Sequence, residues 1–386
     1  MTEWEREQLV GAGFAETAAN SQAAHGRYYT DEAIYRLEVD RVFRREWSFV
    51  CHSTEIAEPG DYRVVEVGDE SLYVIRGRDD EVRAFYNVCQ HRGHQLLTGE
   101  GTIPNVVVCP YHSWSYGMDG NLRGAPKMRQ VPNFCKADVA LTPVRVETVG
   151  GFVFVCLDDT VPSLRERAPQ FETILRSMVE EAAGLRFVQR RSYDIAANWK
   201  IVTENFLEAY HVEFSGPAHQ ALTRIIDTDT YRFELSGRTI EYTARGGEPD
   251  ALPYESNPQP AFTNSRGAAF HQVFLYPHTT FSVFPGTNML FVFNMRPDGP
   301  ERCAEDITYY ALDPSISDAS QTAEAYISQQ LNHEDVALVE AVQRGVRSKG
   351  YRPGRLMVDE SQTESWGEQF VHHFNAVHLE SLLDES

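Results

Sequence analysis

Two cysteines and two histidines crowd one stretch of the chain, NVCQHRGHQLLTGEGTIPNVVVCPYHSW (residues 87–114): Cys89-x-His91, a 17-residue gap (residues 92–108), then Cys109-x-x-His112. Two thiolates and two imidazoles, offered as short pincers on separate turns, suit a two-iron, two-sulfide cluster with cysteines on one iron and histidines on the other. Neutral imidazoles in place of two anionic thiolates leave the reduced cluster less negative and raise its potential, which suits an electron relay. Four such residues also suit a tetrahedral structural zinc, although C-x-H is not the usual spacing of a zinc finger. His94 falls in the same loop but outside the pattern, so it reads as a supporting or solvent-facing group.

A second set lies in NWKIVTENFLEAYHVEFSGPAH (residues 198–219). On a helix, Glu204, Glu208 and His211 would share one face, at i, i+4 and i+7. Such a row is costly to bury without a metal or other partners. On a continuous helix His219 would lie about 12 Å along the axis from His211, too far to share an ion. Ser215-Gly216-Pro217 intervenes and should break the helix, so the chain can fold back and bring the two histidines together. The alternative is two unrelated histidines, one capping and one on the surface. A site of two histidines and one carboxylate would leave positions open for dioxygen and substrate. LNHEDVALVEAVQRGVRSKGYRPGRL (residues 331–356) offers the carboxylate, because Val336, Val339 and Val342 mark a buried helical side that Asp335 shares. Glu334 is the second candidate and His333 the third. Both carboxylates would also suit a helix N-terminus through its dipole.

The elements that must hold these residues read in three parts. Residues 1–45 form a helical arm on the larger domain, with Thr30 as the N-cap of TDEAIYRLEVDRVFRREW. Residues 46–157 carry short strands (DYRVVEV, SLYVIRG, VRAFYNV) between polar turns, and Asp119-Gly120 marks a hairpin after the second pincer. This is a small all-β domain with the cluster at its loop tips. Residues 158–386 open with an amphipathic helix, SLRERAPQFETILRSMVEEA, and continue into aromatic and β-branched strands (residues 268–295). They end in a further amphipathic helix, SWGEQFVHHFNAVHLESLL, whose His372, His373 and His378 read as exposed or packing residues. The fold class is α+β, the larger domain having an antiparallel sheet and helices around a metal. Phe270, Tyr276, Phe281 and Phe284 are candidates to line a substrate pocket.

Bulk properties narrow the partners. A chain of 386 residues can build two cores. A net charge of -21 argues against nucleic acid and anionic membranes. No signal-peptide pattern and no run of about eighteen apolar residues occurs, which predicts a cytoplasmic protein. Six cysteines make no disulfide framework in a chain of this size, so Cys51, Cys135, Cys156 and Cys303 read as free thiols. The sequence has no Gly-rich dinucleotide fingerprint after a strand and no obvious flavin site.

HRG after the first pincer and CPYHSWSYGMDGNL around the second, taken with the ligand spacing, resemble the Rieske domain of the large subunit of bacterial Rieske non-haem iron oxygenases. The resemblance implies Cys89 and Cys109 on one iron, and His91 and His112 on the other. NWK, ENF and E-x-x-H followed by a further histidine are similar to the mononuclear-iron segment of that family, and EDVALVEAVQRG to its C-terminal helix. By this likeness His211, His219 and Asp335 hold Fe(II), and Asn205 and Glu208 belong to the catalytic machinery. Glu208 occupies the place of the acid that couples one subunit's cluster to the neighbouring subunit's iron. Seven residues separate the histidines where the family usually has four, and the coupling acid is Glu where Asp is common. The resemblance also implies a [2Fe-2S] cluster, O2 as co-substrate, NAD(P)H electrons through a flavin/iron–sulfur reductase, and a homotrimer. ENFLEAYH and EDVALVEAVQRGVRSKGY look most like the branch that oxidises quaternary ammonium compounds such as choline, carnitine or betaines, which an aromatic cage would bind. Two other readings stand beside it: an aromatic-ring dioxygenase or aromatic O-demethylase using the same rings as an apolar slot, and a Rieske electron carrier without catalysis of its own.

Overall fold

The computed structural model of the chain describes residues 7–257, 261–262, 270–315, 317–358 and 367–384. The starts of three expected segments, residues 1–6, 268–269 and 365–366, lie outside the described residues. Two compact units divide the chain: Phe43–Ser163, and Met1–Val42 together with Leu164–Ser386.

The smaller unit is built of strands β1 (Ser48–His52), β2 (Asp61–Val67), β3 (Glu70–Arg76), β4 (Val82–Tyr86), β5 (Glu100–Thr102), β6 (Val107–Val108), β7 (Ser115–Tyr116), β8 (Leu122–Gly124), β9 (Pro143–Val149) and β10 (Phe152–Cys156). They form one antiparallel sheet, β1-β10-β9-β4-β3-β2-β5, and a small one, β6-β7-β8. Alternation along β3 sorts the interior into two cores. Leu72 and Val74 pack with Ile56, Val153 and Val155, whereas Tyr73 and Ile75 pack with Phe85, Val107, Trp114 and Tyr116 beneath the cysteine loops. The β7–β8 hairpin turns at Asp119-Gly120 as expected. Gly120 has φ +81°, and a Cβ there would stand 2.4 Å from the Phe85 ring, so only glycine meets both demands.

The larger unit holds β11 (Arg186–Ile195), β12 (Ile226–Ser236), β13 (Thr239–Gly246), β14 (Phe270–Leu275), β15 (Thr279–Val283), β16 (Leu290–Pro297) and β17 (Cys303–Ala311), in the antiparallel order β11-β17-β16-β15-β14-β13-β12. Its helices that bear on the site are α1 (Glu32–Glu38), α2 (Phe171–Met178), α3 (Trp199–Leu207), α4 (Pro217–Ile225), α5 (Asn332–Val346) and α6 (Gln369–Leu383). Strands β14 and β15 are buried at every position, so both faces of the sheet are covered. One face meets α2, which buries Phe171, Ile174, Leu175 and Met178 as a single stripe. The stretch expected as one helix here is two pieces, Leu164–Arg167 and α2, with Pro169 between them. The other face meets α3 and α6, where Phe293 packs on Phe206 and Phe274 on Phe374.

Helix α1 starts one residue later than expected: the Asp31 carboxylate caps it by accepting the Ala33 N–H (2.8 Å), and the Thr30 hydroxyl bonds back to Gly26 O. At its far end Glu38 forms a fully buried ion pair with Lys200 of α3 and accepts from Trp199 Nε1 (2.9 Å) and His378 Nε2 (3.2 Å). Burial opposes the carboxylate, but Lys200 and His378 outweigh it and hold Glu38 at about 2. Removing one member of such a pair costs about 3–5 kcal/mol. This arm changes the character of α6. Its expected amphipathic pattern is replaced by burial nearly all round, since Tyr28 reaches Asn375 and Glu38 reaches His378 on what would be the solvent side.

Candidate metal centres and active site

Two loops of the smaller unit present the first four candidate ligands, and both close in the same way. Gly93 N–H donates to Cys89 O (2.9 Å) and Cys89 N–H to His94 O (2.8 Å) in one loop. Ser113 N–H donates to Cys109 O (3.0 Å) and Cys109 N–H to Trp114 O (2.7 Å) in the other. The fourth residue after each cysteine is left-handed, Gly93 at φ +71° and Ser113 at φ +60°. Both cysteines are buried, and the two imidazoles lie further out with ring centres 4.7 Å apart. Trp114 stacks on His91 at 4.7 Å and fixes its plane. The Tyr116 hydroxyl stands 3.3 Å from Cys89 Sγ as an available donor to sulfur. Burial and the neighbouring Cys89 keep the Cys109 thiol above its ordinary value, and a bound metal is what would make it a thiolate. His94 is exposed.

The second set departs from its expected helix. Helix α3 stops at Leu207, and Glu208 is extended (φ -97°, ψ 150°). The Glu208 carboxylate accepts the backbone N–H of His211 (3.1 Å) and its Nδ1–H (2.5 Å), a local bonding pattern that competes with further helix. Glu204, still on α3, therefore turns away from this pair and accepts from Tyr29 Oη and the Asn375 amide, each at 2.8 Å. Burial pushes the Glu204 carboxyl up to about 7. Pro217 opens α4 as its first residue, and His219 in that first turn comes back to within 5.1 Å of the His211 ring, as the break predicts.

Helix α5 delivers Asp335 between them. Its Oδ1 lies 3.4 Å from His211 Nε2 and 3.1 Å from His219 Nε2, and the three candidate ligand atoms fall within 4.8 Å of one another. Of the expected valine row only Val339 is buried, together with Asn332, Gln343 and Val346, while Val336 is half-buried and Val342 is exposed. Gln343 is inside because it accepts the Asn198 N–H at the start of α3. Glu334 stays outside the triad, accepting from the Ala218 and His219 backbone and from His219 Nδ1, and His333 is exposed.

The electrostatics fit a cation. Burial disfavours a charged imidazole, but Asp335 and Glu208 outweigh it and hold His211 up at about 10. His219 is raised too, burial being outweighed by Asp335 and then Glu334. A cluster that draws protons onto two imidazoles is one in which a divalent ion can displace them. Two histidines and one carboxylate with open positions form the donor set of non-haem Fe(II) oxygenases.

A cavity of about 100 Å³ begins at this triad. Asn205 lines it, with its amide 3.5 Å from His211 Nε2. Of the four aromatic candidates, Phe270 and Phe284 line the cavity. Phe281 does not: it pairs with Val273 and faces Phe171 of α2, the opposite side of the sheet. Tyr276 lies behind the site, where its hydroxyl meets His378 Nδ1 at 2.9 Å. Phe206, Phe293, Tyr231, Tyr242 and Gln272 also line the cavity and escaped sequence reasoning. Gln272 carried a signal, a polar residue inside the apolar run FHQVFL. Phe293 carried one only once register was known, because it pairs with Thr280 on the cavity side.

The chain matches the Rieske [2Fe-2S] domain over residues 46–135 and the ring hydroxylating alpha subunit (catalytic domain) over residues 182–383. It is 36% identical to the carnitine monooxygenase oxygenase subunit of Escherichia coli (strain K12), over 92% of this chain and 94% of that one. It is 30% identical to the chloroplastic choline monooxygenase of Spinacia oleracea, over 90% of this chain and 75% of that one. The crystal structure of the quaternary ammonium Rieske monooxygenase CntA in complex with L-carnitine aligns with a TM-score of 0.83 at 29% identity, covering 99% of each chain. Among the described residues no helix is long and apolar enough to cross a membrane. With a cluster domain and a catalytic domain both matched, the zinc and electron-carrier readings fall away. The chain belongs to the Rieske non-haem iron oxygenases, as an alpha subunit with a [2Fe-2S] domain and a mononuclear-iron catalytic domain.

Proposed function

We propose that this oxygenase hydroxylates a small quaternary ammonium compound at a carbon bonded to nitrogen. His211, His219 and Asp335 are its iron ligands, and Cys89, His91, Cys109 and His112 its cluster ligands. The observation that carries the substrate reading is the cavity: Phe206, Tyr231, Tyr242, Phe270, Phe284 and Phe293 wall it, and Glu208 and Asp335 lie in its lining. A quaternary nitrogen donates no hydrogen bond, so ring faces and nearby negative charge must recognise it, at about 0.5–2 kcal/mol per ring. The same carboxylates disfavour an aromatic acid. The carnitine and choline monooxygenases among its relatives agree with this reading.

When bound, the iron and the cluster supply dioxygen activation fed by single electrons. Glu208 takes the Nδ1–H of His211 and so turns Nε2 toward the site. Asn205 lines the cavity beside His211, and the aromatic walls exclude water from the reacting carbon. At an N-methyl group the reaction consumes the quaternary ammonium ion, O2, two electrons and two protons. One oxygen atom enters a methyl C–H bond to give an N-hydroxymethyl cation, and the other leaves as water. Loss of the hydroxyl proton and cleavage of the C–N bond then release formaldehyde and the tertiary amine. The electrons come from NAD(P)H through a flavin/iron–sulfur reductase. The working unit is a homotrimer in which Glu208 couples the iron to the cluster of a neighbouring copy. Tyr210 and Phe214, 45% and 73% exposed in the loop that follows Glu208, support an interface there.

Binding tests the substrate class directly. Trimethylammonium compounds should change the electron paramagnetic resonance signal of the ferrous site's nitric oxide adduct, and benzoate-like acids should leave it unchanged. The reverse pattern would contradict the proposal and favour the aromatic reading.

A further inference from the structure

Helix α4 begins without a cap of its own. Its N-cap is Gly216, which has no side chain, and Pro217 follows. The next two N–H groups are met from another helix: Ala218 N–H donates to Glu334 Oε1 and His219 N–H to Glu334 Oε2, both at 3.1 Å. The same Oε2 stands 2.8 Å from His219 Nδ1. An ionised carboxylate can only accept, so Nδ1 carries a proton toward Glu334, and Nε2 is the nitrogen whose proton a metal would replace. That Nε2 is the nitrogen 3.1 Å from Asp335 Oδ1. Consecutive residues of α5 thus grip one imidazole at both nitrogens, Glu334 from outside and Asp335 from inside. The space for this grip depends on Gly216, where a Cβ would stand 2.2 Å from Glu334 Oε1.

We infer that Glu334 is a positioning residue for the mononuclear iron. It fixes the Nδ1–H tautomer of His219, sets the ring's orientation and anchors the turn that carries it back to His211. Glu208 does the first of these for His211, so each histidine presents Nε2 to the same point through its own carboxylate. Because seven residues separate the two histidines, the backbone between them is too long to fix their spacing, and Glu334 supplies that constraint from α5. The inference rests on the reading of His219 as an iron ligand.

The test uses the full-length chain with its cluster in place, the mononuclear iron removed by chelation, and ferrous iron titrated back without oxygen. Bound iron is followed by the resonance signal of its nitric oxide adduct. Glu334→Ala should bind ferrous iron about 10- to 100-fold more weakly and change the shape of the signal. Glu334→Gln should stay close to the unaltered chain, since its amide oxygen can still accept Nδ1–H. Gly216→Ala, which keeps the carboxylate but displaces it, should weaken iron in the same direction as Glu334→Ala, and it carries the test if that variant does not fold. In a His219→Ala background, Glu334→Ala should add no further loss. Unaltered affinity and signal in Glu334→Ala, unaltered affinity in Gly216→Ala, or an additive loss in the double variant would overturn the assignment. The failure of the site reading is separate: His211→Ala and His219→Ala would then both keep the mononuclear iron.

Discussion

One oxygen of Asp335 faces both imidazoles, while Glu208 and Glu334 each take the outward nitrogen of one ring. Three carboxylates around two histidines therefore divide into one that faces both rings and two that hold them from outside. Substituting Asp335 or His211 by alanine should lower iron from roughly three to roughly two per chain and leave the cluster's absorption unchanged. Three irons retained in either variant would contradict the ligand set. The two faces of the sheet make a second contrast. Phe281→Ala should destabilise the fold by about 3–5 kcal/mol without changing the KM for substrate, because its ring packs on Phe171. Phe293→Ala should raise that KM by about tenfold through a lost ring face, and kinetics with chemical unfolding on both variants decide it. At this scale the four candidate cluster ligands could be picked out together because each pincer is local, and the two loops do bring His91 and His112 side by side. Tyr276 and Phe281 were not separable from Phe270 and Phe284, because the face a ring occupies depends on register that composition does not encode.

Helix α3 shows what elements add to residues. Its start is set by Asn198, whose side chain caps it by accepting the Lys200 N–H at 2.9 Å, a signal the sequence carried unread. Its end carried no such signal, because the stop at Leu207 comes from Glu208 bonding to His211 and not from a glycine or proline. The consequence is a half-buried Glu204 on the side of the N-terminal arm, with its carboxyl at about 7 against an ordinary 4.5. The folded state keeps a proton that the unfolded chain has released, so stability falls as pH rises from about 4.5 to about 7 and is flat above. Glu305, buried and likewise pushed up to about 7, acts with the same sign. Glu204→Gln should remove about half of this slope, gaining about 1–3 kcal/mol over the parent at about pH 8 and nothing below about pH 4.5. Urea unfolding across that range measures it, and an unchanged slope would contradict a half-buried ionised Glu204. The strands β2, β3 and β4 were legible from alternation, whereas the burial of α6 was hidden because the arm that covers it comes from the other end of the chain.

For the whole molecule, a chain of net charge -21 attracts a cationic substrate and repels anionic ones before any contact forms. The two units divide the candidates: the Phe43–Ser163 unit holds the four candidate cluster ligands, and the other unit holds the triad and the aromatic cavity. Family membership and the α+β architecture could be reached from two short motifs, because each gathers several metal-ligating residue types into one local stretch. Substrate could not, because the cavity draws its walls from α3, β12, β13, β14 and β16 together with Phe284 and α5. The central claim is tested most directly by reductase-coupled turnover on a panel of quaternary ammonium compounds and aromatic acids, following oxygen uptake together with amine and aldehyde products. The account predicts oxygen uptake coupled to C–N oxidation on a quaternary ammonium compound, abolished in His211→Ala. Turnover confined to aromatic acids would contradict it.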